Sequence, residues 1–107
     1  MVKVLNKDTV EEIVKKSNKP VIIDVMASWC GPCQHMKPVF EQVAQELADA
    51  YEFATLNVDE ARELAIEYGV TSVPTLIFIK DGDIKGKETG FMTAENLKAK
   101  IKEHLEG

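Results

Sequence analysis

The residues of this 107-residue chain best suited to covalent chemistry are its only two cysteines, Cys30 and Cys33, which stand in the pentapeptide W-C-G-P-C. A C-x-x-C motif between a strand and a helix is typical of a redox-active dithiol. The hydrophobic run over 21–27 predicts such a strand, and apolar residues at helical spacing predict a helix over 33–49. The sequence therefore predicts a thiol pair held at the start of a helix.

The start of a helix favours the reactive form of a cysteine. Backbone N–H groups there lack partners within the helix and carry partial positive charge, which stabilises a thiolate. The pKa of a thiol then falls from its usual value of about 8.5 toward neutrality, so no histidine or lysine base is needed. Pro32 suits the first helical position, and Gly31 lets a partner chain approach. We expect Cys30 to be the exposed nucleophile and Cys33 the shielded resolving thiol.

Two other uses of the cysteine pair have less support. A structural zinc ion needs four ligands, and the remaining candidates are His35 and His104. On a helix His35 points away from Cys33, and His104 stands in the last helix without a partner motif. Inert core cysteines are disfavoured because Gly-Pro between them is poor packing material. We therefore predict no metal site.

Asp24 is a carboxylate inside the hydrophobic run, six residues before Cys30. Burial of an acid is costly and raises its pKa, which would bring Asp24 near neutrality, where proton transfer is most effective. The functional hypothesis is that Asp24 takes the proton from Cys33, through a water molecule, as that thiol attacks. The alternative is that Asp24 lies at a strand end and is solvated.

Length and composition limit the class of protein. The length fits a single domain over 1–107, and the formal net charge of −5 argues against a nucleic-acid or anionic-membrane surface. The segment 1–4 has no signal-peptide hydrophobic region, and no apolar run approaches the roughly 20 residues that cross a membrane. Two cysteines without an export signal favour a reducing, cytoplasmic location. We expect a monomer.

The hydrophobic pattern alternates strands and helices along the chain. The predicted strands are 2–5, 21–27, 51–58, 75–80 and 83–89, and the predicted helices are one capped by Asp8, 33–49, 60–68 and one capped by Thr93. Asp81-Gly82 predicts a hairpin between the last two strands. This order predicts an α/β fold with a mixed central sheet of about five strands, flanked by four helices on both faces. Pro38 should bend the long helix, either as a surface kink or as a means of setting the angle of its first turn.

The chain resembles the thioredoxin family at these residues. The matching segments are 24–33, Pro38, 56–59, 68–70, 73–76, 80–82 and Gly90. The resemblance covers essentially the whole chain, and W-C-G-P-C with a downstream V-P-T is a highly specific combination. It implies the thioredoxin fold and a thiol–disulfide oxidoreductase that reduces protein disulfides.

The resemblance also implies a set of roles. Cys30 attacks a target disulfide, and Cys33 resolves the resulting mixed disulfide. A cis peptide precedes Pro74, and the backbone around Val73 pairs with the extended target chain. The residues that support the dithiol are Trp29, Gly31, Pro32 and Pro74; those that contact substrate are Trp29, Val73, Thr75, Gly90 and Phe91, with Pro32 in the same flat apolar patch.

The family's chemistry needs no bound cofactor, because the sulfurs of the Cys30–Cys33 disulfide carry the electrons. The resemblance implies a thioredoxin reductase as electron donor, using either NADPH through a flavin or ferredoxin, and disulfide-containing proteins as substrates. Gly-Pro between the cysteines resembles the reducing members of the superfamily more than its isomerases or oxidases. Two alternatives remain: a binding module whose role does not require the dithiol, and zinc storage.

Three residues depart from the family pattern. Thr55 replaces a common lysine near the buried acid, so we expect a higher pKa for Asp24. Met26 replaces a tryptophan, which we expect to leave Asp59 without its familiar hydrogen-bond donor and to loosen the packing behind Cys30. Val25 replaces a common phenylalanine.

Overall fold

The computed structural model describes residues 2–106 and contains the predicted alternation of strands and helices. The strands are β1 (Val2–Val4), β2 (Val21–Met26), β3 (Glu52–Asn57), β4 (Thr75–Lys80) and β5 (Asp83–Thr89). The helical elements are a π-helical turn (Glu11–Lys15), α1 (Gly31–Leu47), α2 (Arg62–Glu67) and α3 (Ala94–Leu105). Among the described residues, no helix is both long enough and apolar enough to span a membrane.

The five strands form one mixed sheet in the order β1-β3-β2-β4-β5. β3 is parallel to both β1 and β2, whereas β4 is antiparallel to β2 and β5. β2 is therefore the central strand and has neighbours on both sides. Helices also cover both faces of the sheet at this strand, which explains its almost continuous hydrophobic sequence.

Helices cover both faces of the sheet, as predicted. Ile22 of β2 belongs to a core cluster with Phe40 of α1 and Ile101 of α3. Ile23, the next residue, belongs to a second cluster with Leu64 of α2 and with the π-helical turn. Successive side chains of a strand point to opposite faces, so the sequence of β2 assigns each residue to one of the two cores.

The prediction that Asp8 caps the first helix is wrong. The side-chain oxygen of Asn6 accepts the N–H groups of Asp8, at 2.8 Å, and Thr9, at 3.0 Å. The π-helical turn that follows is closed by the Lys16 N–H, which donates to the Glu11 carbonyl oxygen at 2.9 Å. The chain turns two residues earlier than predicted because Asn6 directly follows Leu5, whose N–H makes the last hydrogen bond to β3, with the Thr55 carbonyl oxygen at 2.8 Å.

The long helix begins earlier than predicted, at Gly31, so Pro32 occupies the second helical position and not the first. The missing N–H of Pro32 still leaves no broken hydrogen bond, because the first four N–H groups of a helix have no partner within it. Pro38 lies inside α1. At the other end of the chain, Thr93 caps α3 as predicted, with its hydroxyl accepting the Asn96 N–H at 3.2 Å.

The predicted hairpin between β4 and β5 is confirmed. Asp81 has φ 54° and Gly82 has φ 81°, which are the two positive values that a type I′ turn requires. β5 forms the edge of the sheet, and its side chains are mostly exposed and polar. Charged residues on an edge strand discourage pairing with other chains.

Gly86 of β5 provides the space in which His104 of α3 packs. A Cβ atom built on Gly86 would overlap the imidazole ring. That ring stacks on Phe78 with its centroid 4.8 Å away, and its Nε2 atom lies 2.8 Å from a carboxylate oxygen of Glu88. These contacts join α3 to the outer two strands of the sheet.

We expect Gly86→Ala to lower the free energy of unfolding by about 1–3 kcal/mol, the usual cost of forcing an extra methyl group into a packed site. Urea denaturation would measure the change. The matched control is the same substitution in a His104→Ala background, where the overlap is absent and the cost should largely disappear. An undiminished cost in that background would show that His104 is not its cause.

Candidate active site

The two cysteines lie at the carboxyl end of the central strand, where α1 begins. They are joined as a disulfide, with their Cα atoms 5.2 Å apart. As predicted, Cys30 precedes the helix and Cys33 lies in its first turn. The connecting loop is closed by the Cys30 N–H, which donates to the Ala27 carbonyl oxygen at 3.2 Å. The end of β2 and the start of α1 therefore set the position of both sulfurs.

The Cys30 side chain caps α1. Its Sγ atom accepts the backbone N–H of Cys33 at 3.2 Å, in the manner of a serine or aspartate oxygen at a helix N-terminus. A negative charge on this sulfur is stabilised by that N–H and by the partial positive charge at the start of the helix. The geometry thus provides the thiolate-stabilising environment that the sequence predicted.

The expectation of an exposed Cys30 is wrong for the disulfide form. Cys30 is 5 % exposed and Cys33 is 2 % exposed. The two residues form a small apolar cluster with Ala27, against which Val58 and Val73 pack. Residues distant in sequence therefore bury Cys30 almost completely.

Three segments meet at the disulfide. The Val73–Pro74 peptide is cis, as the resemblance implied, and the Val73 carbonyl oxygen lies 3.8 Å from the Cys30 Sγ atom. Gly90, with φ 92°, donates its N–H to the Pro74 carbonyl oxygen at 2.9 Å. The cysteine loop, the Pro74 loop and the segment after β5 therefore form one continuous surface.

The predicted contact residues differ in accessibility. Trp29, Pro32 and Phe91 are exposed, and Val73 and Gly90 are half-buried. Thr75 is buried, and its hydroxyl donates to the Ser72 carbonyl oxygen at 2.7 Å. The contact of Thr75 with substrate therefore stays a prediction. Its side chain holds the loop that precedes β4.

Asp24 is buried in the middle of the sheet. It lies on the same face of β2 as Ile22 and is 2 % exposed, so the alternative of a solvated strand-end residue is wrong. Within residues 2–106, its Oδ1 atom has no hydrogen-bond partner. Burial raises the pKa of Asp24 from 3.8 to about 7, because the charged form loses its hydration. The opposite residue on β3 is Thr55, which carries no charge to counter this effect.

A cavity of about 560 Å³ connects the surroundings of Asp24 and Cys33. Met26 and Thr55, two of the departures from the family pattern, also line it. Sequence reasoning missed Lys37, which lines the same cavity from α1. The available signal was its spacing of four residues from Cys33, which places both side chains on one side of the helix.

Asp59 has a hydrogen-bond donor, but the donor is not at position 26, where Met26 replaces the family's tryptophan. The indole Nε1–H of Trp29 donates to the Asp59 carboxylate at 2.9 Å. Trp29 is the only tryptophan of the chain, and the loop before α1 brings it across the segment that follows β3. The bond orients the indole ring beside the disulfide while leaving Trp29 71 % exposed.

One group of potential metal ligands lies away from the cysteines. Ligand atoms of Glu88, Glu103 and His104 are within 4.8 Å of one another. The Lys100 ammonium group lies 3.5 Å from carboxylate oxygens of both glutamates, so a cation of the chain already pairs with each of them. This group includes neither cysteine and gives no support to zinc storage by the dithiol.

Comparisons with known proteins agree with this geometry. A sequence model described as "Thioredoxin" matches residues 1–103. A thioredoxin of Mycoplasmoides gallisepticum is 39 % identical over 99 residues, which are 92 % of this chain and 97 % of that protein. A thioredoxin of Bacillus subtilis is 41 % identical over 85 residues, which are 79 % of this chain and 82 % of that protein. The crystal structure of Malassezia sympodialis thioredoxin superposes with a TM-score of 0.87 and 33 % identity, covering 97 % of this chain and 90 % of that one.

A mixed five-stranded sheet with a cysteine pair at the start of the helix after its central strand is the architecture of a thiol–disulfide oxidoreductase. The close Cys30–Cys33 pair supplies the redox-active group of that class. The chain belongs to the thioredoxin family.

Proposed function

We propose that this chain is a general protein disulfide reductase that acts as a monomeric single domain, 1–107, in the cytoplasm. The observation that supports this function best is the position of the cysteine pair. Cys30 caps α1 with its sulfur, and Cys33 stands three residues on in the same turn. This arrangement favours a thiolate at Cys30 and keeps a second thiol close enough to close the disulfide.

The reaction transfers two electrons from the dithiol to a target disulfide. The Cys30 thiolate attacks one target sulfur, so a mixed disulfide forms and the other target sulfur leaves as a thiolate. The Cys33 thiolate then attacks the Cys30 sulfur, which forms the Cys30–Cys33 bond and releases the second target thiolate. Protonation of the two released thiolates by solvent completes the reduced target.

Asp24 would serve as the proton acceptor for Cys33. A base is most effective when its pKa lies near the working pH, and the pKa of about 7 for Asp24 satisfies this condition. The shared cavity provides space for a water molecule to carry the proton between the two side chains. Because burial brings the pKa of Asp24 close to neutral pH, the carboxyl group can both accept and release a proton under working conditions.

Target proteins would bind in extended form at the surface around the disulfide. Among residues 2–106, no hydrogen bond from the Val73 N–H is present, so it is available to pair with a target strand. Trp29, Pro32, Gly90 and Phe91 would supply apolar contacts on either side. Recognition through backbone and shape suits a reductase with many targets.

The proposed partners are a thioredoxin reductase, with NADPH and a flavin or with ferredoxin, and disulfide-containing proteins. No prosthetic group is required, because the electrons reside on the sulfurs. No nucleic-acid or membrane partner is proposed for this acidic chain.

We expect the protein to catalyse insulin reduction when coupled to a thioredoxin reductase. We also expect the midpoint potential of its dithiol to be more negative than that of the glutathione couple. Trp29 fluorescence, followed in dithiothreitol buffers of defined redox state, would report the equilibrium, because this only tryptophan directly precedes Cys30.

A Trp29→Phe variant is the control for the fluorescence signal: its fluorescence change should disappear, while its dithiol should still be oxidised and reduced in the same buffers. A midpoint potential well above that of glutathione would assign the chain to disulfide formation and contradict the proposed direction of transfer.

A further inference from the structure

A groove of about 300 Å³ lies beside the disulfide, between the active-site loops and α2. Trp29 and Val73 line it from the loops, and Arg62 and Ile66 line it from the helix. Arg62 and Ile66 are four residues apart and therefore lie on the same side of α2. We call this surface, defined by these four residues, the α2 groove.

The α2 groove carries the most exposed apolar side chains of the described structure. Within residues 2–106, Trp29 at 71 % and Ile66 at 66 % have the highest exposed fractions among the large hydrophobic residues. Exposed apolar side chains that lie together indicate a contact surface, because a partner that covers them removes apolar area from water. The location of both in one groove favours a binding role over chance exposure.

Arg62 adds a positive charge to this apolar surface. It is the only arginine of the chain and is exposed. In the described part of the chain, no carboxylate oxygen lies within the 4.0 Å of an ion pair with its guanidinium group. Asp59, which also lines the groove, is bonded to the Trp29 indole. The exposed Arg62 guanidinium group is therefore suited to bind a carboxylate from another molecule.

We propose that the α2 groove selects protein targets whose disulfide is flanked by an extended segment with one apolar and one acidic side chain. The apolar side chain packs between Trp29 and Ile66, and the carboxylate binds Arg62. This inference rests on the proposed reductase function, since the occupant is a segment of its substrate.

The groove is continuous with the proposed site of attack. Val73 lines the groove, and its carbonyl oxygen lies 3.8 Å from the Cys30 sulfur. A target strand that pairs with the Val73 backbone therefore enters the α2 groove with residues next to the attacked cysteine. The apolar surface would strengthen the binding of many targets. Among these, Arg62 would favour targets with an acidic side chain beside the disulfide over targets with a basic one.

The test uses the full reduced protein and three disulfide substrates, each of which can release mercaptoethanol as its thiolate. Two are peptides whose single cysteine is disulfide-bonded to mercaptoethanol, one with leucine and aspartate beside the cysteine and the other with leucine and lysine. The third is hydroxyethyl disulfide, which has no flanking segment. Initial rates of protein oxidation are measured by acid quenching and chromatographic separation of the dithiol and disulfide forms.

We expect the aspartate peptide to react faster than the lysine peptide. Arg62→Gln should slow the aspartate peptide roughly three- to fivefold, the effect of losing an exposed ion pair, and Arg62→Glu should reverse the preference. Ile66→Ser should slow both peptides to a similar extent. All three variants should react normally with hydroxyethyl disulfide, which shows that the fold and the dithiol are intact.

The matched controls are Lys85→Gln and Ile84→Ser, at exposed positions of β5 outside the groove; neither should change the ratio of the two peptide rates. An unchanged ratio in Arg62→Glu would overturn the proposal. So would a wild-type dimer in sedimentation that Ile66→Ser dissociates, because a second copy of the chain would then be the occupant. Loss of the hydroxyethyl disulfide reaction in the wild type would instead contradict the reductase function itself.

Discussion

Asp24→Asn should raise the free energy of unfolding of the disulfide form by about 4 kcal/mol at about pH 8, but only slightly at about pH 4. The reason is the rise in the pKa of Asp24 from 3.8 to about 7 on burial. Each unit of pKa corresponds to about 1.4 kcal/mol between the two protonation states. An asparagine at this position carries no charge at either pH and avoids the cost.

The sign of the effect follows from proton binding. Between about pH 4 and 7 the folded chain keeps the Asp24 proton that the unfolded chain has lost. Unfolding then releases a proton. The free energy of unfolding of the wild type is therefore not reduced by Asp24 below the unfolded pKa, and it falls as the pH rises to the folded pKa. Urea denaturation of both proteins across this range would show the difference growing with pH.

The control for this experiment is Asp83→Asn, which removes a carboxylate from an exposed position at the start of β5. Its stability should stay within about 0.5 kcal/mol of wild type at both pH values. A constant difference between Asp24→Asn and wild type would mean that the carboxyl group ionises as readily in the folded chain as in the unfolded one. That result would remove the basis for proton transfer from Cys33.

Cys30→Ser and Cys33→Ser should both reduce insulin turnover to the level of the buffer, but for different reasons. Without the Cys30 thiolate no attack occurs, because a serine hydroxyl is not ionised near neutral pH. Without Cys33 the attack proceeds and stops at the mixed disulfide. Mass spectrometry should therefore find a covalent adduct at Cys30 in Cys33→Ser that dithiothreitol releases, and none in Cys30→Ser.

His35→Ser provides the matched control, since it introduces the same residue at an exposed position two residues beyond Cys33; it should retain most of the turnover. Adducts that form on Cys33 in Cys30→Ser would reverse the assigned roles. Retention of cellular function by Cys30→Ser, with disulfide reduction absent, would favour the binding-module alternative.

Local patterns in the sequence were enough to predict the order of strands and helices. β4 and β5 have the predicted bounds, because the Asp81-Gly82 turn and the hydrophobic run before it are strong short-range signals. The start of the first helical turn was not predictable in the same way. Asn6 and Asp8 are comparable capping residues, and pairing of β1 with β3 decided between them.

Residue types also identified the dithiol and the buried acid, but their surroundings came from distant parts of the chain. Val73 covers Cys30 from 43 positions away, which overturned the expectation of an exposed nucleophile. The donor to Asp59 is Trp29, 30 positions away, and no local rule connects the two.

The sequence by itself determined the chemistry: two cysteines with two residues between them before a helix, and an acid inside a hydrophobic strand. Tertiary structure alone decided the accessibility of Cys30, the burial of Asp24 and the meeting of Arg62 and Ile66 with Trp29. The physical reason is that helix and strand formation depend on neighbouring residues, whereas burial, cavities and surface charge depend on which segments pack together.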